Sequence, residues 1–72
     1  MGKSHRGQGV KRYTLQRHLR RHGCRIEHEG REHTIWINLV TGRKEAVPRQ
    51  TEIKHLLARK ICRKLGIPDP PG

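Results

Sequence analysis

The sequence predicts a small α+β fold in which one helix is followed by three short strands and a second helix. Apolar residues recur at helical spacing on both sides of a central segment. Within that segment apolar and polar residues alternate, and glycine turns separate the alternating stretches. We therefore expect a three-stranded antiparallel sheet with both helices on one face, leaving the other face open.

The first helix is predicted to begin at Tyr13 or Thr14 and to end at His22, with Thr14 as the candidate N-cap. Leu15 and Leu19 lie four residues apart and share its buried face. Basic residues fill its last turn, where the helix dipole favours positive charge. Part of the charge therefore has a structural explanation.

Three strands are predicted over residues 24–28, 32–38 and 44–48, joined by turns at Glu29-Gly30 and Thr41-Gly42-Arg43. Alternation places three residues of the first strand on one face: Cys24, Ile26 and His28. It places three residues of the central strand on one face: His33, Ile35 and Ile37. Thr34 and Trp36 are expected on the opposite face of that strand.

The second helix is predicted from about Lys54 to Leu65, capped by Gly66, with residues 51–53 as a linker or a first helical turn. Its outer face carries four cations: Arg59, Lys60, Arg63 and Lys64. These cations either follow a phosphate backbone or form an ordinary solvated face.

The chain is expected to form one domain over residues 11–68, between a flexible basic arm (1–10) and a flexible tail (69–72). No apolar run reaches the ~18 residues that a membrane span requires. Two cysteines are too few for a disulfide framework, which favours a reducing, cytoplasmic location.

The charge of the chain points to a polyanionic partner. Its 72 residues include 17 Lys and Arg against 6 Asp and Glu, a formal net charge of +11. Nucleic acid is the leading partner class for such a balance. An acidic protein is the second and an anionic membrane surface the third, and a merely solvated surface is the remaining alternative.

His33 is the candidate catalytic residue, because an imidazole transfers protons near neutral pH. Arg31, Arg43 and Arg49 are the candidate phosphate ligands beside it. Glu32 would either orient the imidazole or point to the opposite strand face, and alternation favours the second. The alternative for His33 is a strand histidine with no role beyond local contacts.

Trp36 either stacks on a base from the open sheet face or fills the core of a chain that has no Phe. His18 and His22 have a spacing that can hold a metal, but partial burial or a dipole role is favoured. Cys24 and Cys62 are expected to be small core residues. We expect no metal and no small-molecule cofactor.

Several segments, taken in order, resemble the HicA-type toxins. They are Lys11-Arg12, His22-Gly23-Cys24, Gly30-Arg31-Glu32-His33, Val47-Pro48-Arg49 and the last helix with Leu65-Gly66-Ile67. The resemblance covers about residues 11–68. Two departures stand out, since Arg31-Glu32 replaces the Gly-Ser that often precedes the family's histidine, and Gln50 stands where relatives often have a second histidine.

The resemblance implies a fold like the double-stranded RNA-binding domain and a toxin of a type II toxin–antitoxin system. It implies a ribosome-independent mRNA endonuclease, a hydrolase whose active-site histidine aligns with His33. It also implies a HicB-type antitoxin as the inhibiting partner. We expect no membrane partner, because no predicted helix has a large enough apolar face. The alternative is a non-catalytic module that binds double-stranded or structured RNA.

Overall fold

The computed structural model describes residues 9–71, so residues 1–8 and 72 of the predicted arm and tail lie outside it. Seven elements follow in order. They are β1 (Gly9–Lys11), α1 (Arg12–Arg21), β2 (Cys24–Glu29), β3 (His33–Asn38), β4 (Lys44–Pro48), β5 (Glu52–Lys54) and α2 (His55–Leu65). The predicted α+β class is confirmed, with two helices and an antiparallel sheet of order β2-β3-β4.

A second, two-stranded sheet was not predicted. β1 pairs antiparallel with β5, placing Val10 opposite Ile53, and both side chains are buried in the core. Residues 9 and 10 therefore belong to the fold and not to a flexible arm. Residues 52–54 form a strand, where the sequence suggested a linker or a helical turn.

α1 begins one or two residues earlier than predicted and ends one residue earlier, at Arg21, so that Thr14 lies inside it. Its first residue, Arg12, donates its backbone N–H to the carbonyl of Thr51 at 2.8 Å. That bond satisfies one of the free N–H groups of the first turn, a role the prediction gave to a side-chain cap. α2 ends as predicted, because Gly66 adopts the left-handed conformation (φ +79°) and caps the helix.

The core lies between both helices and the inner face of the three-stranded sheet. That face contributes Cys24, Trp36 and Val47, all almost fully buried, and α1 lies against β2 while α2 lies against β4. Ile35 and Ile37, which alternate with the buried positions of β3, are only half-buried. The face that carries them is the open face of the sheet.

A β-bulge corrects one predicted face. Ile26 pairs with Trp36, but His28 pairs with Ile35, so the register shifts at Glu27. One extra residue in β2 reverses the side-chain direction beyond it. His28 therefore lies on the open face beside Ile35, and not with Cys24 as alternation predicted.

Candidate nucleic-acid interface

His33 lies in a shallow cleft at one end of the sheet. It is the first residue of β3, it is exposed, and it pairs with Pro48 of β4. The cleft has a volume of about 350 Å³ and five lining residues: Glu32, His33, Pro48, Arg49 and Gln50. Glu32 precedes the strand, so strand alternation does not apply to it, and it shares the cleft with the imidazole.

The turn before His33 is held by close backbone contact. The N–H of Gly30 donates to the carbonyl of His33 at 2.8 Å. A Cβ on Gly30 would lie 2.8 Å from that same oxygen, closer than side chains tolerate. Residue 30 must therefore be glycine for the turn to keep this shape and for His33 to begin β3 where it does.

Arg49 supports the turn and lines the cleft. Its Nη1 donates to the carbonyl of Gly30 at 2.8 Å, and its Nη2 lies 3.7 Å from Oε1 of Glu29. Its backbone N–H donates to the carbonyl of Glu32 at 3.1 Å. The guanidinium thus brings positive charge to the cleft of His33, but part of its donor capacity is already used inside the protein.

The other two predicted phosphate ligands stand apart from the cleft. Arg31 is exposed in the turn but does not line the cleft. Arg43 lies at the opposite end of β3, close to Gly66. The length of β3, about 3.3 Å per residue, puts that end roughly 17 Å from His33. The prediction that Arg43 acts beside His33 is therefore wrong.

Trp36 is fully buried, so its ring is not available for stacking on a base, and the core alternative describes it. The guanidinium carbon of Arg20 lies 5.2 Å from the ring centroid. Among the described residues, Trp36 Nε1 is the one buried side-chain polar atom without a hydrogen-bond partner. Its place among the RNA-binding candidates is corrected.

The four cations of α2 lie together, as predicted. With Leu56, which is 74% exposed, they line a groove of about 400 Å³ along the outer face of the helix: Arg59, Lys60, Arg63 and Lys64. The inner face of α2 packs on the sheet face opposite to His33. The predicted site residues are therefore divided between two surfaces, on opposite sides of the sheet.

The C-terminal segment is docked, contrary to the flexible tail expected over 69–72, of which residue 72 is not described. Nε2 of His18 donates to the carbonyl of Pro68 at 2.8 Å, and Pro70 is buried. Asp69 accepts hydrogen bonds from Arg63, and the bonded guanidinium holds the pKa of its carboxyl below the usual range. Asp69 gave no signal in the sequence because tail residues normally remain solvated.

Neither cysteine shows the surroundings of a reactive thiol. Both side chains are buried, and burial raises the pKa of Cys24 and raises that of Cys62 to about 12. The rings of His18 and His22 meet edge to face at 4.6 Å. Within residues 9–71 no group of three or more His, Cys, Asp or Glu side chains is placed to hold a metal ion.

Sequence reasoning missed Asn38, which is buried at the end of β3. Its Nδ2 donates to the carbonyl of Leu65 at 2.7 Å, and its Oδ1 accepts from the N–H of Val40 at 2.9 Å. An Asn directly before an apolar turn is typical of residues that hydrogen-bond their own backbone two positions on. That signal predicts the bond to Val40 but not the bond to α2.

Comparisons with protein-family models, with curated proteins and with solved structures found no match to this chain. Of the helices described, none is long and apolar enough to cross a membrane.

Proposed function

We propose that this chain binds RNA and cleaves it at His33, as the toxin of a toxin–antitoxin pair. The observation that carries the proposal is the cleft in which an exposed imidazole and the guanidinium of Arg49 are held together by one turn. RNA supplies its own nucleophile, the 2′-hydroxyl. A proton-transfer group beside a fixed positive charge is therefore the smallest set of protein groups that can cleave its phosphodiester bond.

The reaction uses the 2′-hydroxyl of the substrate. His33 accepts the proton of that hydroxyl, whose oxygen attacks the adjacent phosphorus. The P–O5′ bond breaks, and the O5′ leaving group takes a proton from water or from the imidazolium. The products are a 2′,3′-cyclic phosphate and a 5′-hydroxyl end. Arg49 and the amide of Gln50 donate to the phosphate oxygens as negative charge develops.

RNA binding in this proposal depends mainly on the helices. Neither α1 nor α2 contains an acidic residue, and each carries four Lys or Arg. Such a surface attracts phosphates over several ångströms, and its binding releases the cations condensed on the RNA backbone. Affinity is therefore expected to fall steeply with salt, whichever RNA is bound.

The proposal also covers the fold family to which the chain is related, its location in the cell and its protein partner. The order of one helix, three strands and a second helix supports a relationship to the double-stranded RNA-binding domain, and β1 and β5 are further strands of this chain. We propose a cytoplasmic location and an acidic antitoxin of the HicB type that covers the cleft of His33. A net charge of +11 supports an acidic partner.

A non-catalytic RNA-binding module is the second candidate, and one observation favours it. The guanidinium of Arg49 is engaged by Gly30 and Glu29, and with Gln50 in place of a histidine, His33 is the one imidazole that lines the cleft within residues 9–71. With a single imidazole, base and acid functions must follow each other on the same group or involve water. A slow enzyme or none at all is consistent with that arrangement.

Purified protein incubated with end-labelled RNA in EDTA separates the two candidates. We compare wild type, His33→Gln and His28→Gln, because His28 is an exposed histidine on the same open face, outside the cleft. The nuclease proposal expects cyclic-phosphate ends from wild type and His28→Gln and a loss of about 10²-fold or more in His33→Gln. Cleavage by folded His33→Gln at the wild-type rate refutes it, whereas binding without cleavage by wild type selects the second candidate.

A further inference from the structure

Asp69 turns back from the end of α2 onto the outer face of the same helix. Its carboxylate accepts from Nε and Nη2 of Arg63 at 3.1 and 3.2 Å. Its Oδ2 also lies 3.4 Å from Nε of Arg59, one helical turn away. One carboxylate therefore engages two of the four cations that line the α2 groove.

This carboxylate is exceptional in its position. The remaining acidic residues lie outside the helices, in the strands or in the turn before β3: Glu27, Glu29, Glu32, Glu45 and Glu52. Among the described residues, Asp69 is the acidic residue that places a negative charge on the outer surface of α2, which has no acidic residue of its own. It neutralises part of the surface that otherwise fits an RNA backbone best.

A phosphate group can be bound with the same geometry as the carboxylate of Asp69. Arg63 presents two N–H groups in parallel to two oxygens of one group, the arrangement by which guanidinium recognises carboxylate and phosphate alike. Arg59 adds a second cation to the same oxygen pair. A backbone phosphodiester likewise presents two non-bridging oxygens that share one negative charge, so it can make the same contacts, and the adjacent phosphates of the strand can reach the neighbouring lysines.

We propose that Arg59 and Arg63 form a binding site for a backbone phosphate of RNA, which Asp69 occupies in the absence of RNA. The inference rests on the proposed function, because it names the place where RNA is held. Asp69 keeps the two arginines aligned while the site is empty of ligand, and the phosphate displaces it.

Displacement is energetically accessible because the contact is exposed. The side chains of Arg63 and Asp69 are more than two-fifths exposed, and ion pairs in such settings contribute little net stability. The tail does remain close by, since Pro70 is buried and His18 holds the carbonyl of Pro68. Asp69 thus competes at a high local concentration, and it weakens RNA binding without preventing it.

The test measures affinity for a 2′-O-methyl RNA duplex of about 20 base pairs, which 2′-hydroxyl chemistry cannot cleave, by fluorescence anisotropy between 50 and 200 mM salt. Asp69→Asn is compared with Glu52→Gln, which removes the same charge from β5, where Glu52 takes part in no ion pair found within residues 9–71. Asp69→Asn is expected to bind about 3- to 10-fold more tightly than Glu52→Gln, with a salt slope steeper by about one to two units.

A double-mutant cycle locates the effect. In a protein that carries Arg59→Gln and Arg63→Gln, the further change Asp69→Asn is expected to leave affinity within twofold, because the site it releases is gone. Circular dichroism checks that each variant is folded. Equal affinity of Asp69→Asn and Glu52→Gln, or a gain that persists without the two arginines, overturns this inference and leaves RNA cleavage at His33 standing. Absence of binding to this duplex by every variant also overturns this inference, and the cleavage assay with end-labelled RNA decides RNA cleavage at His33 separately.

Discussion

The side-chain amide of Asn38 donates a 2.7 Å hydrogen bond to the backbone carbonyl of Leu65, at the end of α2. The same side chain accepts from the N–H of Val40 in the turn that follows β3. One buried residue therefore connects the C-terminal end of α2 to the β3–β4 turn. The bond to Leu65 satisfies a helix-end carbonyl that no residue of the helix can reach.

Asn38→Ala is expected to lower the free energy of unfolding by about 1–3 kcal/mol, because it leaves the buried carbonyl of Leu65 without its hydrogen bond from Asn38. Asn38→Asp should cost at least as much, since a carboxylate oxygen would face the carbonyl of Leu65. Urea denaturation measures both. Lys60→Gln on the exposed face of α2 is the control, expected within about 0.5 kcal/mol of wild type. A loss below about 1 kcal/mol for both Asn38 variants would contradict the role assigned to this bond.

Gly30→Ala is expected to displace the turn before His33, because the new Cβ would meet the carbonyl of His33 at 2.8 Å. We expect a loss of about 1–3 kcal/mol in stability together with loss of any cleavage activity. Gly42→Ala is the matched control. Its φ of +81° makes alanine strained, but its Cβ would meet nothing within 4 Å, so stability should fall by about 1 kcal/mol with cleavage retained. Equal effects of the two changes on cleavage would refute the steric explanation.

Trp36→Phe is expected to be tolerated far better than Trp36→Ala. The Nε1 of Trp36 makes no hydrogen bond, so phenylalanine removes volume but no polar contact. Alanine should cost about 3–5 kcal/mol through the cavity it leaves. Thermal unfolding measures the difference in stability between the two variants. Titration of the wild-type protein with RNA tests whether the ring of Trp36 contacts a base. The emission of this buried indole should change little when RNA binds, and strong quenching by direct stacking would show that the ring is accessible after all.

The thiol of Cys62 is expected to resist alkylation in the folded protein. Burial first, and then the charge of Asp69, raise its pKa to about 12. At pH 8 only about one thiolate in 10⁴ would form, against roughly one in four for an unperturbed cysteine. The pKa of Cys62 is higher in the folded protein than in the unfolded chain. The stability that comes from keeping this thiol protonated is therefore complete below pH 8–9 and is lost as the pH rises towards 12. Iodoacetamide labelling with and without urea measures the protection, and comparable rates in both would contradict it.

The sequence predicted the elements that carry a strong local signal. β4 has its predicted bounds, and β2, β3 and α2 differ from theirs by one residue at one end. Alternation and glycine turns were sufficient there because each strand pairs with its neighbour in the chain. The β1–β5 sheet was missed because three-residue strands have no period of their own and pair across most of the chain.

Within the candidate site, distance along the chain is a poor guide to proximity, because Arg43 is closer to His33 in sequence than Arg49 is, yet only Arg49 of the two lines the cleft. His33 and Arg49 share a cleft, since β3 and β4 are adjacent. Arg43 was misplaced because it follows the far end of the β3 strand. Trp36 was left undecided because both strand faces carry apolar residues, and only the helices determine which face is inner. The bulge at Glu27 leaves no mark in the alternating sequence.

The pairing of Gly9 with Lys54 also bears on the order in which the molecule assembles. The β1–β5 ribbon encloses α1 and all three strands of the larger sheet in one long loop, whose closure costs more entropy than that of the short hairpin turns. We expect the β2–β3–β4 meander to form first and the ribbon to close around it last. Val10 and Ile53 then reach the core only after the folding barrier, and truncating either one should accelerate unfolding while leaving the refolding rate almost unchanged.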